Sequence, residues 1–257
     1  IDGGETGSCI LIENSDDYFR IENCVLYNSG PGSWSYYLAG IKAVNTNNGT
    51  LIKNDCSRDY YRRESGIYGI YLDYCNNISI LENIANNNQY GIKLRHSDNN
   101  TISGNTVKNT INNGISLEYS NDNTLSRNVL NNTINSGIYI SISDNNTVSE
   151  NTAINNKDNG IYLYGSDNNN ISGNIANNNK DNGIYLQNSD NNNISGNTAN
   201  NNEYNGICLK YSVNNNILGN TLNYNNNGIN LKNIEINIIS GNLMIECGVW
   251  IFGTLLE

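Results

Sequence analysis

Side chains that could carry acid–base or nucleophilic chemistry are scarce in this sequence. Nucleophilic triads and zinc sites depend on histidine, and the 257 residues contain one, His96. Glycoside cleavage depends on two carboxylates held about 5 to 9.5 Å apart on one face. His96 lies in a turn-like segment, where we expect its ring in solvent. The sequence therefore predicts no catalytic residue.

The candidates for metal binding are three aspartates that recur every 23 residues, Asp144, Asp167 and Asp190. In a stacked chain their carboxylates would lie about 5 Å apart, and calcium binds such oxygen clusters. The competing interpretation is three solvated turn carboxylates that accept hydrogen bonds from the local backbone and repel each other by about 1 kcal/mol. We favour the second interpretation and predict no cofactor, with calcium as the remaining possibility.

Two early segments, 31–39 and 57–66, combine aromatic, basic and acidic side chains and interrupt the pattern of the rest of the chain. Exposed aromatic rings with arginines and carboxylates are typical of a sugar platform or a protein-contact patch. The alternative is that the two loops pack on each other or cover the early part of the fold. The residues predicted to bind a ligand or partner are Trp34, Tyr36, Tyr37, Tyr60, Tyr61, Arg62, Arg63 and Glu64.

A second aromatic set follows a recurring glycine by two residues. If the glycines stack, these rings form an outward column, in which they stabilise each other or contact another molecule or a glycan. The column consists of Tyr71, Tyr139, Tyr162, Tyr185 and Trp250.

Six cysteines in a chain of this composition indicate an oxidising compartment, and hence an extracellular or cell-surface location. Cys24 and Cys56 fall in nearly equivalent positions of the first two coils, which makes an intrachain disulfide plausible. Cys208 is predicted to face outward, with Cys247 about two coils away and beyond the roughly 7 Å limit for a bridge. These two cysteines are free or link neighbouring molecules.

The elements that position these side chains come from an internal repeat. Gly-Ile-x-Leu, or Gly-Ile-x-Ile in the copy at 137, recurs with its glycine at 69, 91, 114, 137, 160, 183, 206 and 228, so the period is 22 to 23 residues. The Ile and Leu alternate as in a β-strand, and Asn-, Ser- and Asp-rich turns separate the short strands. The sequence lacks the leucine-rich repeat consensus, the six-residue sub-period of a left-handed hexapeptide helix, and the offsets of a hairpin series. We predict an all-β right-handed parallel β-helix of about ten coils, without a large helical domain.

Asparagine makes up 60 of the 257 residues, and much of it falls at fixed columns of the repeat. In a parallel stack, identical amide side chains donate to one neighbour and accept from the other. We predict such a ladder at an inward corner, formed by Asn83, Asn105, Asn128, Asn151, Asn174, Asn197 and Asn220.

The repeat unit Gly-Ile-Tyr-Leu-x-x-Ser-Asp-Asn-Asn-Asn-Ile-Ser-Gly-Asn, present at 160–174 and 183–197, resembles those of the NosD-like right-handed parallel β-helix proteins. That group belongs to a wider set of carbohydrate-binding proteins and sugar hydrolases, and the first coils resemble archaeal cell-surface proteins. The resemblance implies the fold, which hosts lyases, hydrolases, adhesins and scaffolds alike. Pectin-cleaving members share Gly-His-Gly and Arg-x-Lys strings that are missing here, and a copper site is disfavoured by one His and one Met.

The charge balance limits the partners. A net charge of −10, without a basic stripe, disfavours nucleic acid, and no apolar run is long enough for a transmembrane segment. We predict one domain, 1–257, with irregular early coils (1–68), regular coils (69–247) and a closing strand with an apolar tail (248–257).

The functional prediction is a non-catalytic extracellular or cell-envelope scaffold that assembles with itself end to end or laterally, or contacts cell-surface glycans or proteins. Missing catalytic strings and chain ends without polar caps support this prediction. The alternative is a polysaccharide-binding or polysaccharide-degrading lyase or hydrolase.

Overall fold

The computed structural model describes residues 1–3, 7–27, 29, 37–58, 67–233 and 235–252. These residues form a right-handed parallel β-solenoid, as predicted, and contain no helix. No helix long and apolar enough to cross a membrane is found in this part of the chain. The strands build three parallel sheets that run along the solenoid axis.

The first sheet contains eleven strands, one from each successive turn. They are β1 (Ile10–Ser15), β3 (Leu38–Thr46), β5 (Ile67–Asp73), β7 (Tyr90–Arg95), β10 (Ile115–Glu118), β13 (Ile138–Ser141), β16 (Ile161–Tyr164), β18 (Ile184–Gln187), β20 (Asn205–Lys210), β22 (Asn227–Lys232) and β24 (Gly248–Phe252).

The second sheet contains ten strands. They are β2 (Phe19–Glu22), β4 (Gly49–Ile52), β6 (Ser79–Leu81), β8 (Thr101–Ser103), β11 (Thr124–Ser126), β14 (Thr147–Ser149), β17 (Asn170–Ser172), β19 (Asn193–Ser195), β21 (Asn216–Leu218) and β23 (Ile238–Ser240). The third sheet contains β9 (Thr106–Lys108), β12 (Val129–Asn131) and β15 (Thr152–Ile154), and isolated parallel bridges continue its line in both directions.

The core is a continuous column of Ile, Leu, Val and Ala from the inner faces of the three sheets. In one turn, Ile161, Leu163, Ile171 and Ala176 are all fully buried, which follows the period-two alternation of short strands. Each turn therefore buries its apolar residues only against the turns above and below it, as expected for a solenoid.

The recurring glycine is required by the approach of adjacent strands. A Cβ placed on Gly160 would lie 2.6 Å from the carbonyl oxygen of Gly183, 2.8 Å from Nδ2 of Asn179 and 2.9 Å from Cβ of Ala176. The first of these contacts is with backbone, which cannot move without breaking the sheet. The Gly-Ile-x-Leu motif therefore records a packing constraint.

The predicted asparagine ladder is confirmed, and it extends to Asn54 and Asn242. Within it, Asn151 donates from Nδ2 to Oδ1 of Asn174 at 3.0 Å, and its backbone N–H donates to the same oxygen at 2.9 Å. Nδ2 also donates to the Leu125 carbonyl at 2.9 Å. Each buried amide thus satisfies its own donors and caps backbone groups of the preceding turn, so the polar corner contains few unpaired atoms.

Further ladders occupy other corners and were not predicted. Two more run inside the solenoid, and a fourth borders the outer face of the eleven-stranded sheet. Their members include Asn156, Asn179, Asn202 and Asn225; Asn169, Asn192 and Asn215; and Asn159, Asn182, Asn205 and Asn227.

The carboxylates of the aspartate column accept hydrogen bonds from backbone N–H groups of the following turn. Oδ1 of Asp144 accepts the Asp167 N–H, and Oδ1 of Asp167 accepts the Asp190 N–H, both at 2.7 Å. Oδ1 of Asp190 accepts the Val213 N–H at the same distance. No group of three or more His, Cys, Asp or Glu side chains among the described residues is placed to hold a metal ion. The geometry therefore adds no support to calcium binding at these carboxylates.

All six cysteines are free, so the predicted bond between Cys24 and Cys56 is not formed. The two residues are not equivalent, because Val25 pairs with Asp55. Cys24 lies beside Asn54, to whose Oδ1 its N–H donates at 3.1 Å. Cys56 follows two residues later, in register with Leu26. The early turns are irregular, and counting from the sequence placed the register incorrectly.

Candidate functional site

The predicted outward column exists on the eleven-stranded sheet. Tyr139, Tyr162 and Tyr185 are register partners on β13, β16 and β18, and Cys208, Asn230 and Trp250 continue the line on β20, β22 and β24. Toward the N-terminus the same line holds Tyr71, Lys93 and Ser116. The chemistry of this face changes along its length.

The N-terminal half of the face is covered by its own side chains. Tyr71 points outward but is 1% exposed, because its ring lies 4.9 Å from that of Tyr68 and 5.2 Å from that of Tyr37. Burial raises the pKa of Tyr71 well above its ordinary value. Lys93 donates to Glu118 at 2.8 Å. Tyr71 therefore faces outward within a packed cluster of aromatic rings.

His96 is held between two aromatic rings, contrary to the expectation of a solvated side chain. Its ring stacks on Tyr74 at 4.5 Å and on Tyr119 at 5.1 Å, with interplanar angles of 9° and 11°. Its Nδ1 lies 3.6 Å from Asp73 Oδ1. This stacking gives His96 a structural role.

In the C-terminal half, three tyrosines form an open stack. The ring centroids of Tyr139 and Tyr162 are 5.3 Å apart, and those of Tyr162 and Tyr185 are 4.8 Å apart. The hydroxyls of Tyr162 and Tyr185 both donate to Oε1 of Gln187, at 3.0 and 2.9 Å. These bonds fix the ring planes across the strands. Burial raises the pKa of Tyr185 to about 12, so its hydroxyl is protonated at ordinary pH.

The stack ends at Tyr185, since Cys208 and Asn230 fill the next two positions with small side chains before Trp250. Two adjoining open cavities, of about 250 Å³ and about 360 Å³, occupy this gap and share Lys232. We call them together the groove. The first is lined by Asp181, Tyr185, Tyr204, Cys208, Lys210 and Lys232, among others, and the second by Asn226, Asn227, Asn230, Lys232 and Trp250.

Cys208 forms part of the floor of the groove. It points outward as predicted but is only 6% exposed, because neighbouring side chains surround it. Burial raises its pKa to about 11, so the sulfur is a thiol and a poor nucleophile. Cys247 donates from Sγ to the Leu222 carbonyl at 2.9 Å. Neither arrangement presents an open thiol for the predicted link between molecules.

Asn230 provides the other part of the floor and has an unused acceptor. Its Nδ2 donates to Oδ1 of Asn205 at 3.1 Å, while its own Oδ1 has no hydrogen-bond partner in the structure. The residue is 7% exposed. A buried acceptor without a donor is costly, and this one borders the second cavity.

One wall of the groove contains the carboxyl group of Asp181, next to Asp158 of the preceding turn. Asp158 accepts hydrogen bonds from Ser136 Oγ and Asn159 Nδ2, at 3.3 and 3.0 Å. Asp181 is half-buried, and burial, then the nearby charge of Asp158, raise its pKa to about 6.

Most of the loop residues predicted to bind a ligand lie outside the described residues, namely Trp34, Tyr36, Tyr60, Tyr61, Arg62, Arg63 and Glu64. Tyr37 is described and packs on Tyr68 and Tyr71. Sequence reasoning missed the groove residues Asp158, Asp181, Lys210, Lys232 and Asn230. These residues could have been found from the sequence by aligning the outward positions that flank the tyrosines in successive repeats. The repeat at which the aromatic residues end marks the groove.

The solenoid and its outward groove define the class of a right-handed parallel β-helix. The chain belongs to the right handed beta helix region family, whose model matches residues 8–176. The model of the periplasmic copper-binding protein (NosD) matches residues 143–254. A search of curated proteins finds no match.

Solved structures similar to this chain include enzymes that act on polysaccharides. The periplasmic alginate epimerase AlgG is 17% identical, with a TM-score of 0.68 over 98% of this chain and 80% of that one. The A-module of the mannuronan C-5 epimerase AlgE6 from Azotobacter vinelandii is 15% identical, with a TM-score of 0.67 over 97% and 84%. The enzymatically active domain of tailspike protein 2 of bacteriophage CBA120 is 14% identical, with a TM-score of 0.69 over 90% and 43%. At these identities the likeness is one of fold.

Proposed function

We propose that this protein binds a polysaccharide in the groove between Tyr185 and Trp250. The observation that carries the proposal is the interruption of the tyrosine stack. Tyr162 has a tyrosine ring on each side, whereas the side of Tyr185 that faces Cys208 borders open space. Trp250, 55% exposed, borders the other end of the gap.

The groove has the composition of a saccharide site. Aromatic faces pack against the apolar faces of sugar rings, and a few well-placed polar groups fix the orientation of the ligand. Amides of Asn205, Asn226, Asn227 and Asn230 line the two cavities and can bond to hydroxyl groups. From Tyr185 to Trp250 the column advances three strand spacings, about 14 Å, which suits a short stretch of a chain molecule.

The similar solved structures also support a polysaccharide as the ligand. The alginate epimerase and the mannuronan epimerase combine this fold with polysaccharide chemistry, so a polysaccharide ligand is compatible with the architecture. We take from them only the class of ligand, because fold alone does not define an activity.

The acidic residues of the groove favour binding over hydrolysis. Glycosidases act with two carboxyl groups that flank the bond to be cleaved, whereas Asp181 is the one acidic residue among the described residues that line the two cavities. We propose a binding protein and leave lyase or hydrolase activity as the outcome of a product assay.

The predicted non-catalytic scaffold receives less support than this alternative, since the groove is a specific feature that a scaffold does not need. An extracellular or cell-envelope location remains our proposal. It is supported by the NosD model, described as periplasmic, and by the periplasmic epimerase. End-to-end or lateral assembly stays a prediction, to be tested by mass measurement with and without reductant.

The test uses affinity electrophoresis and calorimetry against a panel of soluble polysaccharides. We expect Tyr185→Ala and Trp250→Ala each to weaken binding about tenfold, the equivalent of about 1.4 kcal/mol of ring contact. Tyr119→Ala is the matched control, because Tyr119 is an exposed stacked tyrosine outside the groove. Equal weakening by all three variants, or no binding by the unaltered protein, would refute the proposal, and a reducing-sugar assay on the same samples reports any cleavage.

A further inference from the structure

Two lysines lie side by side at the edge of the groove without acidic partners. Lys210 on β20 and Lys232 on β22 are register partners on adjacent strands. Like charges directly opposite each other destabilise a sheet. Neither lysine forms an ion pair with any residue that the structure describes, although Lys210 Nζ lies 5.1 Å from the Tyr211 ring centroid.

Two other basic residues on this sheet have acidic partners. Lys93 pairs with Glu118 at 2.8 Å, and Arg95 lies 3.8 Å from Asp73. These two positive charges in the N-terminal half of the face are therefore offset by neighbouring carboxylates. The C-terminal half leaves two adjacent positive charges beside an open cavity.

One carboxyl group shares the first cavity with the lysines. Asp181 lines this cavity with Lys210 and Lys232, and no ion pair joins it to either lysine in the part of the chain that the structure describes. Two lysines beside one carboxyl group leave net positive charge at this edge for a ligand.

Asn230 adds a second, independent requirement. Its Oδ1 is an acceptor without a partner on a residue that is 93% buried, and it lines the cavity that Lys232 also lines. An ion alone would leave this oxygen unpaired, since it needs a hydrogen-bond donor. A ligand that satisfies the whole site presents an anionic group and a hydroxyl group close together.

We propose that the groove selects an anionic saccharide, whose carboxylate or sulfate group lies between Lys210 and Lys232 and whose hydroxyl donates to Asn230 Oδ1. This inference rests on the proposed polysaccharide binding and names the chemistry of the sugar. A carboxylate and a sulfate offer the same feature to the lysines, an anionic oxygen cluster that accepts charge-assisted hydrogen bonds.

The experiment compares polymers that differ only in charge. Binding of the unaltered protein is measured by calorimetry at low salt for a polyuronate and its methyl ester, and for dextran sulfate and dextran. We expect at least tenfold tighter binding to one charged polymer than to its neutral counterpart, with a preference that shrinks as salt rises, because the two lysines border an open cavity. The two polymer pairs separate a carboxylate ligand from a sulfate ligand.

Variants assign the preference to these residues. Lys210→Gln together with Lys232→Gln should reduce the preference to nearly one, while binding to the neutral polymer stays unchanged. Lys53→Gln together with Lys108→Gln changes the net charge equally on other faces of the solenoid and should leave the preference intact. Asn230→Leu, which has the same number of side-chain heavy atoms but no acceptor, should weaken binding to charged and neutral polymers alike.

The outcomes separate this inference from the proposed function. Equal binding of charged and neutral polymers would overturn the inference and leave polysaccharide binding in place. A preference that survives the Lys210/Lys232 double variant, or that the Lys53/Lys108 double variant also removes, would overturn it as well. No binding to any polymer would overturn both proposals.

Discussion

The raised pKa of Asp181 is the residue-level feature with the clearest consequence for stability. Burial and the nearby charge of Asp158 raise this pKa from the ordinary 3.8 of an aspartate to about 6 in the folded protein. Between about pH 4 and pH 6 the folded chain therefore binds a proton that the unfolded chain has released. By linkage, folding stability falls as the pH rises through this window.

Asp181→Asn should stabilise the protein at pH 7.5 and not at pH 4. A shift of about two pKa units corresponds to about 3 kcal/mol at most, and solvent screening of a half-buried group reduces this to about 1 kcal/mol. Urea unfolding at both pH values measures the difference. Asp122→Asn, at an exposed turn position, should change little at either pH. Equal stabilisation by Asp181→Asn at both pH values would show that the proton is not the cause.

Single residues were the hardest level to predict. The outward direction of Tyr71 and Cys208 followed from strand alternation, but their burial depends on which side chains cover them. His96 illustrates the same limit, because its stacking partners Tyr74 and Tyr119 lie 22 and 23 positions away in the sequence. Direction is a local property of a strand, whereas exposure is a property of neighbouring turns.

At the level of the strand, the glycine column limits how closely turns can approach. Gly160→Ala should destabilise the fold by about 2 to 3 kcal/mol, because the new methyl group would overlap the Gly183 carbonyl and the strands would have to separate. Gly7→Ala is the control, since a Cβ at Gly7 meets nothing within 4 Å.

Chemical denaturation with circular dichroism compares the two glycine variants. A change below about 0.5 kcal/mol for Gly160→Ala, the range of ordinary surface substitutions, would contradict the close approach of the strands at this position.

Strand-level features were predicted best where the repeat is regular. The ladder from Asn83 to Asn220 follows directly from a constant 22 to 23 residue offset. The additional ladders were missed because the same residue type also fills exposed turns, as at Asn145 and Asn168, where it adopts positive φ angles of 58°. Composition does not distinguish a ladder amide from a turn amide, and the sheet register does.

Across the whole molecule, one sheet face divides into a closed half and an open half. The closed half is packed around Tyr71 and the open half contains the groove. The sequence predicted the outward column that joins the two halves, but every residue of the column was expected to play the same role. The division arises from single changes of residue type at fixed positions of the column, which periodicity does not reveal.

Because of this division, we expect substitutions in the closed half to reduce folding stability and substitutions in the open half to reduce saccharide affinity. Tyr71→Ala should cost about 3 kcal/mol of folding stability, as for other buried aromatic truncations, and leave saccharide affinity unchanged. Tyr185→Ala should instead have a small effect on folding stability and a larger effect on saccharide affinity. Paired unfolding and binding measurements on both variants test this, and a loss of affinity in Tyr71→Ala under conditions where it is folded would contradict it.

The asparagine ladders also contribute electric dipoles along the axis of the solenoid. Each amide is a dipole, and in the three inner ladders Nδ2 donates toward the C-terminal turns, as from Asn174 to Asn197. The ladder beside the groove runs the other way, as from Asn205 to Asn182. Strands of a β-sheet contribute only small net dipoles, so these ladders are a source of dipole along the solenoid axis. Because the amides do not titrate, their contribution does not change with pH.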